Sequence, residues 1–174
     1  MIRNDKNFYF FYKFSINTLF FILFFCIINF QISLSFFSVF ETSTPSLISI
    51  VIYFFIVRFN INPSSIILLL TGFLQDIMIG NNIGITSIFL LLLKYFTHSL
   101  IVEKINKDNQ EEWIYFTIIF ILSFSIVFLI NLIISFSIPE LSPIFFHAGI
   151  TLILYPLINI SINFFSFVSR LIKS

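Results

Sequence analysis

The chain has 174 residues, 59% of them hydrophobic and only 10% charged, with a formal net charge of +1 at pH 7. Soluble domains carry about 25% charged residues, so this composition excludes an ordinary soluble domain and indicates an integral membrane protein. The balanced charge gives no indication of nucleic-acid binding, which leaves the lipid bilayer as the partner that composition predicts. The lone cysteine, Cys26, excludes a disulfide within the chain.

Charge-free runs separated by turn residues divide the chain into six apolar spans. The first, residues 14–40, is predicted to be a retained helix, because it is too long for the apolar part of a signal peptide, about 7–15 residues. The second and third are marginal in length, since a helix needs about 20 residues to cross hydrocarbon. The predicted fold is an all-α integral membrane protein, a six-helix transmembrane bundle forming one domain over residues 1–174. The remaining spans are predicted at residues 45–60, 63–79, 83–101, 113–138 and 143–168.

Capping residues predict where most of these helices begin. Asn81 and Asn82 are placed to cap the fourth helix, and Asn109 followed by Glu112 resembles a capping box at the start of the fifth. At three other starts a capping residue precedes a proline, which predicts proline at the first helical position. These pairs are Thr44-Pro45, Asn62-Pro63 and Ser142-Pro143.

The basic residues predict the orientation of the bundle. In a six-span arrangement, all nine Lys and Arg residues fall on one side of the membrane, and the opposite loops carry only Glu41 and Glu140 as charged residues. Because basic loops stay on the cytoplasmic side, the sequence predicts a multi-pass protein with both termini cytoplasmic. Arg58 is expected to snorkel from the end of the second span. The nine basic residues are Arg3, Lys6, Lys13, Arg58, Lys94, Lys104, Lys107, Arg170 and Lys173.

Asp76 is the one acidic residue inside a long apolar span. A carboxylate at membrane depth is expensive, so it is expected to have a partner or a function. Gly72, Asp76 and Gly80 recur every four residues and so share one helix face, where glycines let another backbone approach closely. The simplest interpretation is a structural hydrogen bond or charge pair, with Gln75 beside it. A contact with a partner protein and a role in proton or solute transport are the alternatives.

The sequence predicts no catalytic residue, metal site or cofactor. His98 lies near the inner end of the fourth span and His147 near the outer start of the sixth, so the two are expected toward opposite membrane faces. The chain has no Cys/His cluster with zinc spacing. It also lacks a nucleophile elbow and a phosphate-binding glycine loop.

The other intramembrane polar and special residues are assigned structural roles. Trp113 is expected to anchor the fifth helix at the membrane interface. In Tyr155-Pro156 the proline removes a backbone hydrogen bond, which predicts a kink in the sixth helix. Four polar residues are predicted to form helix–helix hydrogen bonds. They are Asn131, Asn159, Ser161 and Asn163.

Several of these features, in this order, resemble the rod shape-determining protein MreD family. That family has a proline-led second span, here Pro45-Ser46-Leu47-Ile48, and a Tyr-Pro pair in the last helix. Between them it has a Gly-x-x-x-Asp-x-x-x-Gly segment followed by a leucine-rich helix. The matching residues are Pro45, Gly72, Asp76, Gly80, Gly84, the run 89–93, Tyr155 and Pro156.

This resemblance implies a non-catalytic scaffold in the bacterial cytoplasmic (inner) membrane, with a role in cell elongation, peptidoglycan synthesis and rod shape. It implies binding to an MreC-like bitopic membrane protein and, through that protein, to the MreB filament, RodA and a penicillin-binding transpeptidase. The Gly72, Asp76 and Gly80 face is expected to support the partner surface. The structural or interaction candidates are Pro45, Gly72, Gln75, Asp76, Gly80, Gly84, Tyr155 and Pro156.

A second resemblance gives the alternative function. The MreD family is similar in fold to the substrate-binding subunits (S-components) of energy-coupling-factor (ECF) vitamin transporters, which also have six helices. Those subunits dock their transmembrane partner through an Ala-x-x-x-Ala pattern in the first helix. The first span here contains no alanine, since Ala148 is the only alanine of the chain. That departure favours the scaffold over the vitamin-binding subunit.

Overall fold

The computed structural model describes the backbone of residues 3–37, 40, 43–80, 82–101, 109–135 and 141–173. Side chains are described from residue 15 to residue 161, except at 38–39, 41–42, 81, 101–110 and 135–141. The described residues form helices and connecting turns, with no strand among them. The helices are α1 (Arg3–Leu34), α2 (Leu47–Val57), α3 (Ser65–Ile79), α4 (Ile85–Ile101), α5 (Asn109–Ser135) and α6 (Leu141–Lys173).

Three helices contain segments that are long and apolar enough to cross a membrane: Ser15–Leu34, Glu111–Ile134 and Ser142–Ser161. The predicted all-α class is therefore confirmed for the described residues, and the membrane assignment is supported. Helices α2, α3 and α4 are apolar but shorter, at 11, 15 and 17 residues. At 1.5 Å per residue, α2 extends only about 17 Å, against a hydrocarbon core of about 30 Å. Six membrane crossings remain a prediction.

Helix α2 lies at the centre of the bundle, which explains how so short an apolar helix is accommodated. It packs against α1, α4 and α6, and seven of its 11 residues are buried. A helix that is apolar on all sides suits either a protein core or lipid, and the burial of most of α2 places it in the core. In contrast, large apolar side chains on the bundle's exterior are exposed, as at Ile133 (71%) and Ile66 (70%). Apolar exteriors of this extent are rare in soluble monomers and suit a lipid environment.

The predicted proline-first helix starts were wrong. Pro45 and Pro63 each lie two residues before a helix begins, and Pro143 is the third residue of α6. The residues at the N-cap of α2 and α3, Ser46 and Ser64, make no side-chain capping bond. Other helices supply the missing acceptors at α2, as described next. At α2, tertiary contacts replace the local cap that the sequence predicted.

The start of α2 is held by polar side chains from two other helices. The backbone N–H of Ser46 donates to Thr151 Oγ1 of α6 at 2.9 Å. The N–H of Leu47 donates to Gln31 Oε1 of α1 at 3.2 Å. Both groups belong to the first turn, whose N–H groups have no intrahelical acceptor. The start of α2 is thus hydrogen-bonded to both α1 and α6.

The ends of the helices also differ from the predicted spans. Helix α1 begins at Arg3 and ends at Leu34, whereas the span was predicted at residues 14–40. Bonds from residue i to i−3 tighten the chain after it, including the Phe37 N–H to the Leu34 carbonyl at 3.0 Å. Parts of the predicted spans at residues 38–39 and 136–138 lie outside the described residues. Helix α6 continues through Pro156 to Lys173.

Candidate functional site

The carboxylate of Asp76, on α3, caps the next helix, α4. Its side chain is fully buried, at 0% exposure. Oδ2 accepts the N–H of Gly84 at 2.7 Å, and the N–H of Thr86 lies 3.2 Å from both carboxylate oxygens. These N–H groups lie at the start of α4, where the helix dipole also favours an anion. Asp76 therefore joins the two helices through the turn between them.

Asn82 does not provide the predicted cap of α4. Its side-chain amide donates to Asn131 Oδ1 of α5 at 3.0 Å, and Asn81 lies outside the described residues. Capping by a carboxylate eight to ten residues earlier was missed because it comes from a different helix. A signal was present: an intramembrane Asp followed by a short turn containing Gly80 and Gly84.

Gly72 brings α3 into backbone contact with α4. A Cβ added at Gly72 would lie 2.5 Å from both the Cα and the N of Ser87. The Ser87 hydroxyl donates to the Leu69 carbonyl at 2.9 Å, which adds a side-chain bond at the same crossing. Close approach through a small residue is the usual way in which membrane helices pack. The Gly72 and Asp76 face of α3 is therefore covered by α4.

Gly80 and Gly84 act through backbone conformation instead of close approach. Gly80 follows the last residue of α3 with φ +81°, and Gly84 precedes α4 with φ +97°. A Cβ at either position would meet nothing within 4 Å. Positive φ is readily adopted by glycine, so both residues shape the turn that brings Asp76 to α4. The expectation that Gly80 shares a close-packing face with Gly72 was wrong.

We expect Gly72→Ala to destabilise the protein and Gly149→Ala not to. Gly72→Ala forces α3 and α4 apart, which should cost about 1–3 kcal/mol of unfolding free energy. Gly149 lies in α6, where an added Cβ meets nothing within 4 Å. There alanine should be neutral or stabilise by up to about 1 kcal/mol through helix propensity. Unfolding by sodium dodecyl sulfate in mixed micelles measures both; equal effects would contradict the close α3–α4 contact.

Lys94 connects α3 and α4 at the other end of the pair. Its Nζ donates to the Pro63 carbonyl at 2.7 Å and to Ser65 Oγ at 2.9 Å. The ammonium group thus provides a hydrogen-bond donor for the Pro63 carbonyl just before α3 begins. Together with Asp76 it fastens the hairpin at both ends.

Arg58, which was expected to snorkel, forms an ion pair with Glu112 at the start of α5. Its Nε and Nη2 lie 3.0 Å and 2.7 Å from Glu112 Oε2. Its guanidinium carbon lies 5.3 Å from the centre of the Phe54 ring, within cation–π range. The pair is largely buried, with side-chain exposures of 16% for Arg58 and 6% for Glu112. Glu112 therefore has a tertiary role, and the side chain of its predicted capping partner Asn109 lies outside the described residues.

Tyr155, of the Tyr155-Pro156 pair, is the centre of an aromatic cluster joining α2, α5 and α6. Its ring stacks on Phe116 with centroids 4.5 Å apart and on Phe54 with centroids 5.1 Å apart. Tyr53 meets it edge-on at 5.7 Å. The Tyr155 hydroxyl is buried without a hydrogen-bond partner, whereas the Tyr53 hydroxyl donates to the Glu112 carbonyl at 2.9 Å.

Pro156 leaves a carbonyl of α6 open to accept a hydrogen bond from α5. Proline has no N–H, so the Leu152 carbonyl four residues earlier has no partner from position 156. The indole Nε1 of Trp113 donates to that carbonyl at 3.2 Å. Trp113, predicted only as an interface anchor, therefore binds α5 to α6 through the backbone group that Pro156 leaves open.

We expect the two buried tyrosines to respond differently to loss of the hydroxyl. Tyr53→Phe removes a buried hydrogen bond and should cost about 1 kcal/mol. Tyr155→Phe removes an unpartnered buried hydroxyl while keeping the stacked ring, so it should be neutral or stabilising. Unfolding by sodium dodecyl sulfate in mixed micelles compares the pair directly. A larger loss from Tyr155→Phe than from Tyr53→Phe would contradict these assignments.

A cavity of about 570 Å³ lies where α1, α3 and α5 end and α2, α4 and α6 begin. Gln75 lines it, is 5% exposed, and has no hydrogen-bond partner for its Oε1. His147 also lines it; its Nδ1 contacts the Thr44 carbonyl and its ring stacks on Phe124 at 5.9 Å. Under the predicted topology this is the periplasmic end of the bundle.

The two histidines lie in separate places, as the sequence predicted. His98 lines a different cleft, beside Lys94 and Tyr95 near the end of α4. Among the residues that the structure describes, no group of three or more His, Cys, Asp or Glu side chains is placed to hold a metal ion.

The polar residues of α5 and α6 are bonded in several ways. Asn131 accepts from Asn82, and Asn159 is buried and has an interaction partner. The Ser161 hydroxyl donates to the Leu157 carbonyl of its own helix at 2.9 Å, so the helix–helix bond predicted for Ser161 was wrong. The side chain of Asn163 lies outside the described residues.

Comparisons of the chain with profiles of known protein families, with curated proteins and with solved structures find no match. The resemblances carried by the sequence motifs therefore stay predictions. The features that the structure itself brings together are the α3–α4 hairpin, the Arg58–Glu112 pair with its aromatic cluster, and the cavity beside Gln75.

Proposed function

We propose that this protein is a non-catalytic scaffold of the bacterial cell-elongation machinery, embedded in the inner membrane, that binds an MreC-like bitopic protein. The order of Pro45, the Gly72 to Gly80 segment and Tyr155-Pro156 supports the family resemblance. Through its partner the scaffold would act with the MreB filament, RodA and a penicillin-binding transpeptidase. The proposal includes six crossings with both termini cytoplasmic, and a cysteine at position 107 should then resist labelling from the periplasm.

The observation that carries the proposal is that the charged residues inside the bundle bind other helices. Asp76 and Lys94 bind the backbone of the α3–α4 hairpin, and Arg58 and Glu112 bind each other. Each of these groups fastens one helix to another. Such use is typical of a packing framework, whereas a catalyst needs polar groups that converge on one reacting position.

The partner contact must lie away from the face predicted from the sequence. Gly72 and Asp76 are buried against α4, so they support a surface from inside without forming it. The exterior of the bundle is apolar, as at Ile66 and Ile133. A single-span partner helix would then bind mainly by packing within the bilayer, where close fit drives helix association.

Affinity capture from native membranes tests the scaffold. We expect the tagged chain to co-purify with an MreC-like protein, and the tagged partner to capture the chain in return. Depletion of the chain should round the cells. Gly149→Ala, which adds a methyl group in open space, should capture the partner as the unmodified chain does. Gly72→Ala should capture less, because it disturbs the α3–α4 pair.

Two outcomes would refute the scaffold. Cells that stay rod-shaped after depletion would show that elongation does not need the protein. Capture of a transporter ATPase pair without an MreC-like protein would favour the vitamin-transporter subunit.

A further inference from the structure

We infer that the cleft between the end of α4 and the start of α3 binds the phosphate of an anionic phospholipid headgroup. This site goes beyond the scaffold function and does not depend on it. The cleft has a volume of about 400 Å³, and Asn62 and Ser65 line it on the α3 side. Six of its seven lining side chains can form hydrogen bonds, and one of these six, Lys94, is a cation.

The α4 wall of the cleft changes in polarity along the helix. Its residues follow the i, i+3, i+4, i+7, i+8 spacing of one helix face. They are Leu91, Lys94, Tyr95, His98 and Ser99. The wall is thus apolar at Leu91, cationic about one turn later, and polar and exposed near the end of α4. A phospholipid has the same order, from acyl chain through phosphate to the hydrated headgroup, so the wall suits a lipid better than a freely soluble anion.

The Lys94 ammonium group keeps a hydrogen-bond donor for the phosphate. An ammonium group has three N–H donors. Among the described residues, Lys94 Nζ uses two of them, to the Pro63 carbonyl at 2.7 Å and to Ser65 Oγ at 2.9 Å. Because Lys94 donates to the Ser65 oxygen, the Ser65 hydroxyl hydrogen is left for another acceptor. The fold thus holds the ammonium group in place and leaves one donor on Lys94 and one on Ser65 for an anion.

The charge of Lys94 is not neutralised by any carboxylate that the structure describes. The lining of the cleft includes no Asp or Glu, and no described carboxylate lies within ion-pairing distance of Lys94. Under the predicted topology the cleft lies at the cytoplasmic surface, where basic pockets between helices bind anionic headgroups. A zwitterionic headgroup carries its own cation, so its phosphate gains less from Lys94, and an anionic lipid should bind more tightly.

Tyr95, His98 and Ser99 supply further donors at the open side of the cleft. All three are exposed, Tyr95 at 65%, and each side chain offers an N–H or O–H group in its neutral form. Tyrosine is also enriched at the level of lipid headgroups. Several donors beside one cation match a phosphate, because its oxygens accept several hydrogen bonds at once.

Native mass spectrometry of the protein in detergent micelles tests the site by titration with lipids. The probes are dioleoylphosphatidylglycerol, which is anionic, and dioleoylphosphatidylcholine, which has the same acyl chains and a zwitterionic headgroup. We expect the first phosphatidylglycerol to bind about fivefold more tightly than the first phosphatidylcholine, the factor that one lysine at an anionic surface provides. Glycerophosphate, which has the phosphate without acyl chains, should not displace phosphatidylglycerol at equal concentration.

Four variants locate the binding within the chain. Lys94→Met removes the charge and should abolish the preference for phosphatidylglycerol, whereas Lys94→Arg keeps the charge and should keep the preference. Ser99→Trp places bulk at the exposed side of the cleft and should weaken phosphatidylglycerol binding to the level of phosphatidylcholine. The matched control is Lys13→Met, which removes the same charge from α1. It should bind both lipids as the unmodified protein does.

Each contrary result overturns the inference. Equal affinity for the two lipids would show that the cleft does not recognise an anionic headgroup. Displacement by an equal concentration of glycerophosphate would identify a site for soluble phosphates instead of lipids. An equal loss of preference in Lys94→Met and Lys13→Met would show that net charge, and not the cleft, attracts the lipid. Far-ultraviolet circular dichroism of each variant would show whether the helical fold is kept, and a misfolded Lys94→Met would leave Ser99→Trp and the lipid comparison as the deciding arms.

Discussion

Asp76→Leu should lower the free energy of unfolding by about 2–4 kcal/mol, because the N–H groups of Gly84 and Thr86 lose their acceptor inside the bundle. Leucine is similar in size and apolar, so the loss comes mainly from the missing hydrogen bonds. Asp76→Asn keeps one oxygen and should cost less, about 1 kcal/mol. Unfolding by sodium dodecyl sulfate in mixed micelles measures all three proteins.

Hydrogen exchange tests the same prediction at individual backbone amides. The amides of Gly84 and Thr86 should exchange faster in Asp76→Leu, while the amide of Leu47, which donates to Gln31, should be little changed. Asn82→Ala serves as a control, since it removes an exposed side-chain bond to Asn131 from the same turn. If Asn82→Ala were as destabilising as Asp76→Leu, the turn as a whole and not the Asp76 cap would be holding the hairpin.

The Arg58–Glu112 pair should give the other large effect. Arg58→Met and Glu112→Leu each remove one member of a largely buried ion pair, and each should cost about 3–5 kcal/mol. The double variant Arg58→Met/Glu112→Leu removes both charges and should be more stable than either single variant. The two bonds to Glu112 Oε2 supply the structural basis for this coupling.

The coupling energy between Arg58 and Glu112 in the double-mutant cycle shows whether the two residues stabilise each other. Costs that simply add would show that Arg58 and Glu112 do not stabilise each other. The cation–π contact of Arg58 with Phe54 would then be the alternative source of the Arg58 effect. Phe54→Leu, measured on both the unmodified and the Glu112→Leu background, separates the ring contact from the ion pair.

Composition and spacing predicted the helical class and drew attention to the residues that join helices, but not to their partners. Asp76 was correctly singled out because a carboxylate in an apolar span needs compensation. Its acceptor role at α4 was missed because helix caps are normally sought in the residues just before a helix. Arg58 and Glu112 were each given local roles, since nothing in one sequence links positions 54 residues apart.

The cavity could not be predicted from the sequence for a related reason. Its lining residues come from five helices and carry no common spacing. Gln75 was noticed only as a neighbour of Asp76, because whether an amide oxygen is satisfied depends on the three-dimensional packing. The shortness of α2 was visible from Pro45 and Asn60, but its central position became clear only from its burial. Local signals thus identified polar residues, and packing determined which of them were bonded.

The hydrogen bonds of the α3–α4 hairpin have a consequence for how the protein is made. Asp76 and Lys94 have their hydrogen-bond partners within residues 63–94. Both charged side chains can therefore form these bonds as soon as this stretch has been synthesised and inserted. Arg58 is synthesised earlier, yet its partner Glu112 emerges 54 residues later. During that interval Arg58 lacks the Glu112 carboxylate, and we expect it to stay near the aqueous surface, because a charge is expensive in lipid. We therefore expect α2 to pack into the centre of the bundle only after α5 has been inserted.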